Sequence, residues 1–368
     1  MKRRETRAGD TDVRRRVDAA SRSSFPRQRV FRPLRSSLWA CALLLLCASG
    51  VLARSAWTRQ KSGTMAWLHA VFFLDQQKGW AVGGAGALLA TIDGGQTWQV
   101  MRRPTEDALL DVYFADERRG WLVCERSIYL LKTEDEPRTY LMSTTDGGAT
   151  WKRLNLIGQD VDVRLIRALF TSGGRGWVFG EGGALYTTYD GGANWTRRRV
   201  PTRYLLLGGT FINDEQGWLV GAGTTILQTS DGGETWRAGS VMSAARVRFT
   251  ATSFVDERRG WAVGADGRVF VTRDGGLNWR AQESNVSADL FDVKFFDASE
   301  GWAVGAGGTV IHTTDGGAHW TTVPSGTTHP LERLFFVNRE RGWAVGFGGT
   351  IIAYAPITSP PPAPELRK

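Results

Sequence analysis

A Gly-Trp pair recurs seven times along this chain, with its tryptophans at Trp80, Trp121, Trp177, Trp218, Trp261, Trp302 and Trp343. A second phrase, Thr-x-Asp-Gly-Gly-x-x-Trp, recurs six times, with its aspartates at Asp93, Asp146, Asp190, Asp231, Asp274 and Asp315. The period is mostly 41 residues, and Trp and Asp lie 13 residues apart in five of six repeats. The exception is 25 residues, from Trp121 to Asp146, which places an insertion near Glu125–Arg138. A fixed period of this length is the mark of a repeat architecture.

Within a repeat, an alternating apolar stretch (Leu109-Leu-Asp-Val-Tyr-Phe114) runs into a turn (Asp116-Glu-Arg-Arg-Gly120) and a Trp-led second strand. A Gly-rich turn, a third strand such as Thr309-Val-Ile-His-Thr313, the Asp-Gly-Gly turn and a fourth Trp-led strand follow. Four short strands joined by tight turns make a propeller blade and not a βαβ unit. The 45 Gly and 16 Trp of the composition fit that reading, because many turns need glycine and many blades need apolar anchors. The expected fold is all-β: a single seven-bladed β-propeller of four-stranded antiparallel blades over 55–355.

Counting the phrases predicts how the ring closes. The last repeat has no Asp-Gly-Gly turn, since 13 residues past Trp343 falls on Pro356, and the tail 356–368 is Pro-rich and expected to be disordered. Trp57 precedes Trp80 by 23 residues, the spacing that also separates Trp98 from Trp121, Trp195 from Trp218, Trp279 from Trp302 and Trp320 from Trp343. Trp57 is therefore expected to lead the fourth strand of the seventh blade, supplied from the N-terminal side and removing two free sheet edges.

The net charge of +9 belongs mostly to the N-terminus. Residues 1–37 carry twelve Lys/Arg and four acids and read as a basic, disordered region; what remains is nearly neutral, with 34 basic and 33 acidic residues. A nucleic-acid binder would carry a basic face on its folded part, so that class is disfavoured. Residues 38–53 are free of charge and end on Val51-Leu-Ala53, as a signal peptide or signal anchor would. Export across an inner or thylakoid membrane, to periplasm, lumen or cell envelope, is expected. Cys41 and Cys47 lie in that segment, which leaves Cys124 alone in the body as an apolar filler.

Three columns align along the inner strands. Asp75, Asp116, Ser172, Asn213, Asp256, Asp297 and Asn338 read as caps of their own turns. Phe73, Phe114, Phe170, Phe211, Phe254, Phe295 and Phe336 read as core between blades. Ala70, Asp111, Arg167, Gly208, Ala251, Asp292 and Arg333 line the channel, where the four charged members serve either as a partner site or as ion pairs around water. Arg164, Arg203, Arg246 and Arg248 fall in or near the first strands of blades 3 to 5 as a candidate basic patch. Arg118-Arg119, Arg258-Arg259, Arg339 and Arg341 sit in equivalent turns, expected to be partly neutralised by Glu117, Glu257 and Glu340.

No catalytic residue, metal site or cofactor is assigned. His69, His312, His319 and His329 show no metal-ligand spacing, and no Gly-rich phosphate loop precedes a helix. The Asp-Gly-Gly turn resembles the Asp-box of sialidase-type propellers, and that resemblance implies a structural hairpin for the six aspartates. A further sialidase signature is missing, and a tandem xyloglucanase needs two propellers.

Leu290-Phe-Asp-Val-Lys-Phe295, Gly301-Trp-Ala-Val-Gly305 and Thr313-Thr-Asp-Gly-Gly-Ala-His-Trp320 occur together in one repeat. Over 55–355 the chain resembles the photosystem II assembly and stability factor family, seven-bladed lumenal propellers of cyanobacteria and plastids. The resemblance implies a non-enzymatic scaffold that binds a membrane-protein client, a photosystem II core polypeptide in a photosynthetic host, through an Arg-rich patch. Arg167, Arg246, Arg248 and Arg333 are the candidates here. The later blades lack the long Asn/Arg-rich stretches of photosynthetic members, and relatives occur in non-photosynthetic bacteria. Two other readings stay open: an exported glycan-binding or glycan-active propeller presenting Trp67 and Tyr204, and a purely structural platform.

Overall fold

The computed structural model describes residues 55–356, except 132, 134, 135, 155–162, 172, 244 and 245. The readings made for 1–37, 38–53, Cys41, Cys47, Ser172 and the Pro-rich tail beyond 356 lie outside the described residues. The described chain is all-β, in seven sheets, with six single 3-10 turns between strands.

Blade 6 shows the plan. Leu290–Phe295 lies innermost, followed outward by Gly301–Gly305, Val310–Thr313 and Thr321–Thr322, each antiparallel to the last. Every second strand is buried along its Gly-Trp-x-x segment, as a strand covered by a neighbour on both faces must be. Blade 5 gains a fifth strand, Ser240–Val241, which pairs parallel to its outer edge at Asn278 and Trp279.

Closure occurs as the phrase count anticipated. Ser55–Gln60 pairs antiparallel with Thr350–Pro356, Trp57 opposite Tyr354, as the outermost strand of a sheet that continues through Arg341–Gly346 to the innermost Leu331–Asn338.

The two repeated phrases meet at each seam between blades. The Gly-Trp indole of one blade lies flat on the phenylalanine of the next: Trp343 on Phe73 at 3.5 Å, Trp80 on Phe114 at 3.7 Å, Trp177 on Phe211 at 3.5 Å, Trp218 on Phe254 at 3.5 Å and Trp261 on Phe295 at 3.6 Å. Trp121 does the same against Phe170 at 4.7 Å. The same phenylalanine meets its own blade's fourth-strand tryptophan edge-on, as Phe295 meets Trp320 and Phe336 meets Trp57. Each such pair adds about 0.5–1.5 kcal/mol beyond the area it buries.

The seam also explains why glycine precedes each of these tryptophans. A Cβ at Gly301 would lie 2.5 Å from Phe295 Cε1, and the other Gly-Trp glycines face their own phenylalanines in the same way. Here close approach of a ring, and not a left-handed backbone, demands glycine. Every inner strand carries a β-bulge at one position, as between Leu68 and Ala70, which re-aims the residues at its start toward the ring axis.

All inner strands begin on one face of the ring, called the mouth below. The turns between second and third strands share that face. The Asp-Gly-Gly turns and the turns between first and second strands occupy the other.

Trp57→Ala should lower stability by about 3–5 kcal/mol, the usual cost of emptying a buried aromatic site. Gly301→Ala should cost about 1–3 kcal/mol through overpacking against Phe295. Urea midpoints of the purified propeller check both, and a midpoint unchanged in the first variant would mean the ring does not depend on its N-terminal strand.

Candidate functional site

On the face opposite the mouth, the repeated carboxylates are consumed by their own turns. Asp93 Oδ1 accepts from Thr91 Oγ1 at 2.8 Å and from the Thr97 amide at 2.9 Å, while Oδ2 accepts from Thr97 Oγ1 at 2.5 Å. Thr91 Oγ1 in turn accepts from the Gly95 amide. The arrangement repeats at Asp146, Asp190, Asp231, Asp274 and Asp315, where Thr150, Asn194, Thr235, Asn278 and His319 take the place of Thr97. Hydrogen bonds from Thr97 and Thr150 hold Asp93 and Asp146 at a pKa of about 2. Carboxylates spent in this way hold turns together.

The turn column behaves as expected. Asp75, Asp116, Asn213, Asp256, Asp297 and Asn338 each accept two backbone N–H bonds from their own turn. Three of the six arginines of these turns pair with acids other than those expected, and Arg118, Arg258 and Arg341 form no ion pair among the described residues. Arg119 pairs with Asp116 and Arg259 with Asp256, both within one turn, while Arg339 reaches Asp297 and Glu300 of the neighbouring blade. Glu117 pairs instead with Lys78. A turn cap is the nearest carboxylate to Arg119, Arg259 and Arg339, which the charge pattern alone did not reveal.

The four charged residues of the channel column pair across the ring. Arg167 of blade 3 points at Asp292 of blade 6, 3.7 Å away, and Arg333 of blade 7 points at Asp111 of blade 2, 4.0 Å away. Asp111 also accepts from the Val112 and Ala168 amides, and Asp292 from those of Val293 and Leu334, so each aspartate ties its own inner strand to the next one. Asp111, Asp292 and Arg167 are all under one-tenth exposed. Burial outweighs the Arg167 charge and the amide bonds and raises Asp111 to a pKa of about 6; Asp292 is pushed the same way. Lys294 beside them is pushed down by burial, against Asp292. The geometry is that of ion pairs bridging a channel.

The remaining arginines gather at the mouth, in two environments. Arg164 is held by Glu125 at 2.8 Å, and Arg138 joins the same Glu125 and Glu181, so Arg164 belongs to an ion-pair network. Burial and the Arg164 charge lower the neighbouring His69 imidazole, with Glu125 opposing. Arg203, Arg246 and Arg248 are exposed, Arg246 touches the exposed Tyr204 hydroxyl at 3.3 Å, and among the described residues none of the three forms an ion pair. The structure thus keeps Arg203, Arg246 and Arg248 together as a free basic sector on blades 4 and 5, and separates Arg164, Arg167 and Arg333 from it.

Two further features of the mouth go beyond the sequence reading, which named Trp67 as an exposed aromatic there but not its partner Phe347. Trp67 and Phe347 stand exposed with ring centroids 5.3 Å apart, backed by His69 and by His329, whose Nδ1 lies 2.8 Å from Thr350 Oγ1. Phe347 fills a turn position that is Gly84, Glu181, Ala222, Ala265 or Ala306 in other blades, and a lone aromatic in a column of small residues was the available signal. The blade 2 insertion carries Ile128-Tyr129-Leu130 at its tip, Tyr129 being 90% exposed, over a base fixed by Arg126 to Asp107 and Glu136.

Among the described residues no group of His, Cys, Asp and Glu is arranged to hold a metal. Cys124 is buried in the seam between blades 1 and 2, and burial pushes its thiol pKa up.

The family model described as photosynthesis system II assembly factor YCF48 matches residues 96–204, 198–283, 244–334 and 282–355. Among solved structures, YCF48 bound to a D1 peptide is 21% identical, with 83% of this chain and 96% of that chain covered at a TM-score of 0.67. YCF48 from Cyanidioschyzon merolae is 20% identical, covering 83% and 100%, also at 0.67. A GH74 xyloglucanase from Xanthomonas campestris is 13% identical at a TM-score of 0.61, and the match spans only 53% of that enzyme. Among curated proteins none matches the chain.

The two classes of aspartate give a signed pH profile. Asp111, raised above its unfolded value of 3.8, takes up a proton on folding, so stability should rise as pH falls through about 6. Asp93 and Asp146, lowered to about 2, contribute stability that is present above about 4 and lost as pH falls toward 2. Urea midpoints between pH 7 and 2 should pass through a maximum, and Asp111→Asn should lessen the rise between pH 7 and 5, to which Asp292 also contributes, while leaving the acid limb.

Proposed function

We propose that this chain, which belongs to the photosynthesis system II assembly factor YCF48 family, assists assembly of a membrane-protein complex by holding a client polypeptide at the mouth of the propeller. The observation that carries the reading is the exposed sector of Arg203, Arg246 and Arg248, with Tyr204, on a rigid rim. Three guanidinium groups without carboxylate partners fit an anionic segment, and arginine's planar donors suit carboxylates in particular. The YCF48 structure with a D1 peptide supports a photosystem II core polypeptide as the client in a photosynthetic host.

Binding without catalysis is the reading these groups support. The six repeated aspartates stabilise turns, and the buried acids of the channel face arginines and backbone amides. A glycan-active alternative draws on the xyloglucanase likeness, which covers about half of that enzyme and concerns fold alone. Export through residues 38–53, cleaved or retained as a membrane anchor, would place the propeller in the lumen, periplasm or cell envelope beside newly inserted polypeptides.

A pull-down from gently solubilised membranes of the host, with a tag on the C-terminal tail, tests the proposal. An Arg203→Ala, Arg246→Ala, Arg248→Ala variant alters exposed side chains only and should fold normally. With about 0.2–1 kcal/mol for each exposed contact, it should bind the client roughly 3- to 100-fold more weakly. Equal recovery of the same membrane polypeptide by both forms would remove the basic sector from the binding site.

A further inference from the structure

The mouth carries two unlike surfaces on opposite sides of the ring. On blades 4 and 5 stand Arg203, Arg246 and Arg248, exposed and without an ion pair among the described residues. On blades 7 and 1 stand Phe347 and Trp67, meeting at 5.3 Å with exposed edges.

The aromatic pair is held in place. Phe347 is fixed by its amide on the Pro330 carbonyl at 3.1 Å, and the His329 ring packs edge-on to it. His329 is itself held at Thr350 Oγ1. A rigid, half-exposed aromatic ledge binds an apolar side chain with little ordering cost. Exposed guanidinium groups on one side of the mouth and an apolar ledge on the other give the site a direction.

Resting on the client-binding reading above, we propose that the mouth recognises an extended polypeptide segment in one orientation, its acidic residues on Arg203, Arg246 and Arg248 and an apolar side chain on the Trp67–Phe347 ledge. The segment crosses above the channel and does not enter it, because the Arg167–Asp292 and Arg333–Asp111 pairs bridge the interior. The charge of the basic sector favours an anionic peptide over a neutral glycan, which would leave three guanidinium groups without partners.

The test uses the whole propeller and two labelled synthetic peptides, one acidic with a single phenylalanine and one identical but with alanine in its place. Fluorescence anisotropy should show the phenylalanine peptide binding about tenfold more tightly, a difference of about 1.4 kcal/mol. Trp67→Ala and, separately, Phe347→Ala should abolish that preference and leave the alanine peptide's affinity unchanged. The triple arginine variant should weaken both peptides equally. A preference that survives both ledge variants overturns this proposal alone. Unchanged binding of both peptides to the triple arginine variant, or binding of neither to the wild type, overturns the client-binding reading beneath it as well. Competition by a xyloglucan oligosaccharide would reassign the ledge to glycans and overturn the proposal too.

Discussion

The Trp–Phe stack between neighbouring blades is the contact on which this architecture rests. It makes each blade's second strand depend on the next blade's first strand, so no blade can bury its faces alone. Six of the seven seams stack at 3.5–4.7 Å. The seventh, where Trp302 meets Phe336, is looser at 6.1 Å and tilted. That seam borders the blade closed by the N-terminal strand, which has no Asp-Gly-Gly turn. At four other seams the indole donates to a glycine carbonyl of that turn, as Trp261 does to Gly316 and Trp343 to Gly94. Trp302 has no such turn to reach, and its buried Nε1 has no partner. His312 stacks on it instead, while Trp57 and Tyr354 fill the space. Closing the ring with a borrowed strand therefore costs about 1–3 kcal/mol for each of two unsatisfied donors, Trp302 Nε1 and Trp57 Nε1, while sealing two edges.

This division of labour frees one face for recognition. Seam aromatics and Asp-Gly-Gly turns hold the scaffold from the far side of the ring. The start of each inner strand, re-aimed by its bulge, tolerates Ala70, Gly208 or Arg333 at equivalent positions. Chemistry at the mouth can change without touching the stacks, and the Arg203, Arg246, Arg248 sector and the exposed aromatic ledge are found there together.

The scaffold was legible in the sequence because its interactions are local or strictly periodic. The 23-residue spacing of Trp57, the turn caps and the Asp-Gly-Gly phrase each encode a contact between residues of fixed separation. The channel was legible only as a column. Nothing in local spacing says that Arg167 will face Asp292 and Arg333 face Asp111, because those partners are set by the diameter of the closed ring. The same limit applies to the aromatic ledge, where Trp67 of blade 1 meets Phe347 of blade 7 only because the ring closes. The rim arginines were misassigned to Glu117, Glu257 and Glu340 because a turn cap such as Asp116 has a second oxygen free to take a guanidinium after capping the backbone.

The central claim is that the Asp-Gly-Gly face is scaffold and the mouth is the binding surface. Amide hydrogen exchange of the whole propeller, with and without a saturating D1 peptide, tests it most directly. The account predicts added protection at the mouth, around residues 64–69, 203–206, 246–249, 329–332 and 347–350, with the Asp-Gly-Gly turns unchanged. Protection confined to the turns around Asp93, Asp146, Asp190, Asp231, Asp274 and Asp315 would contradict it.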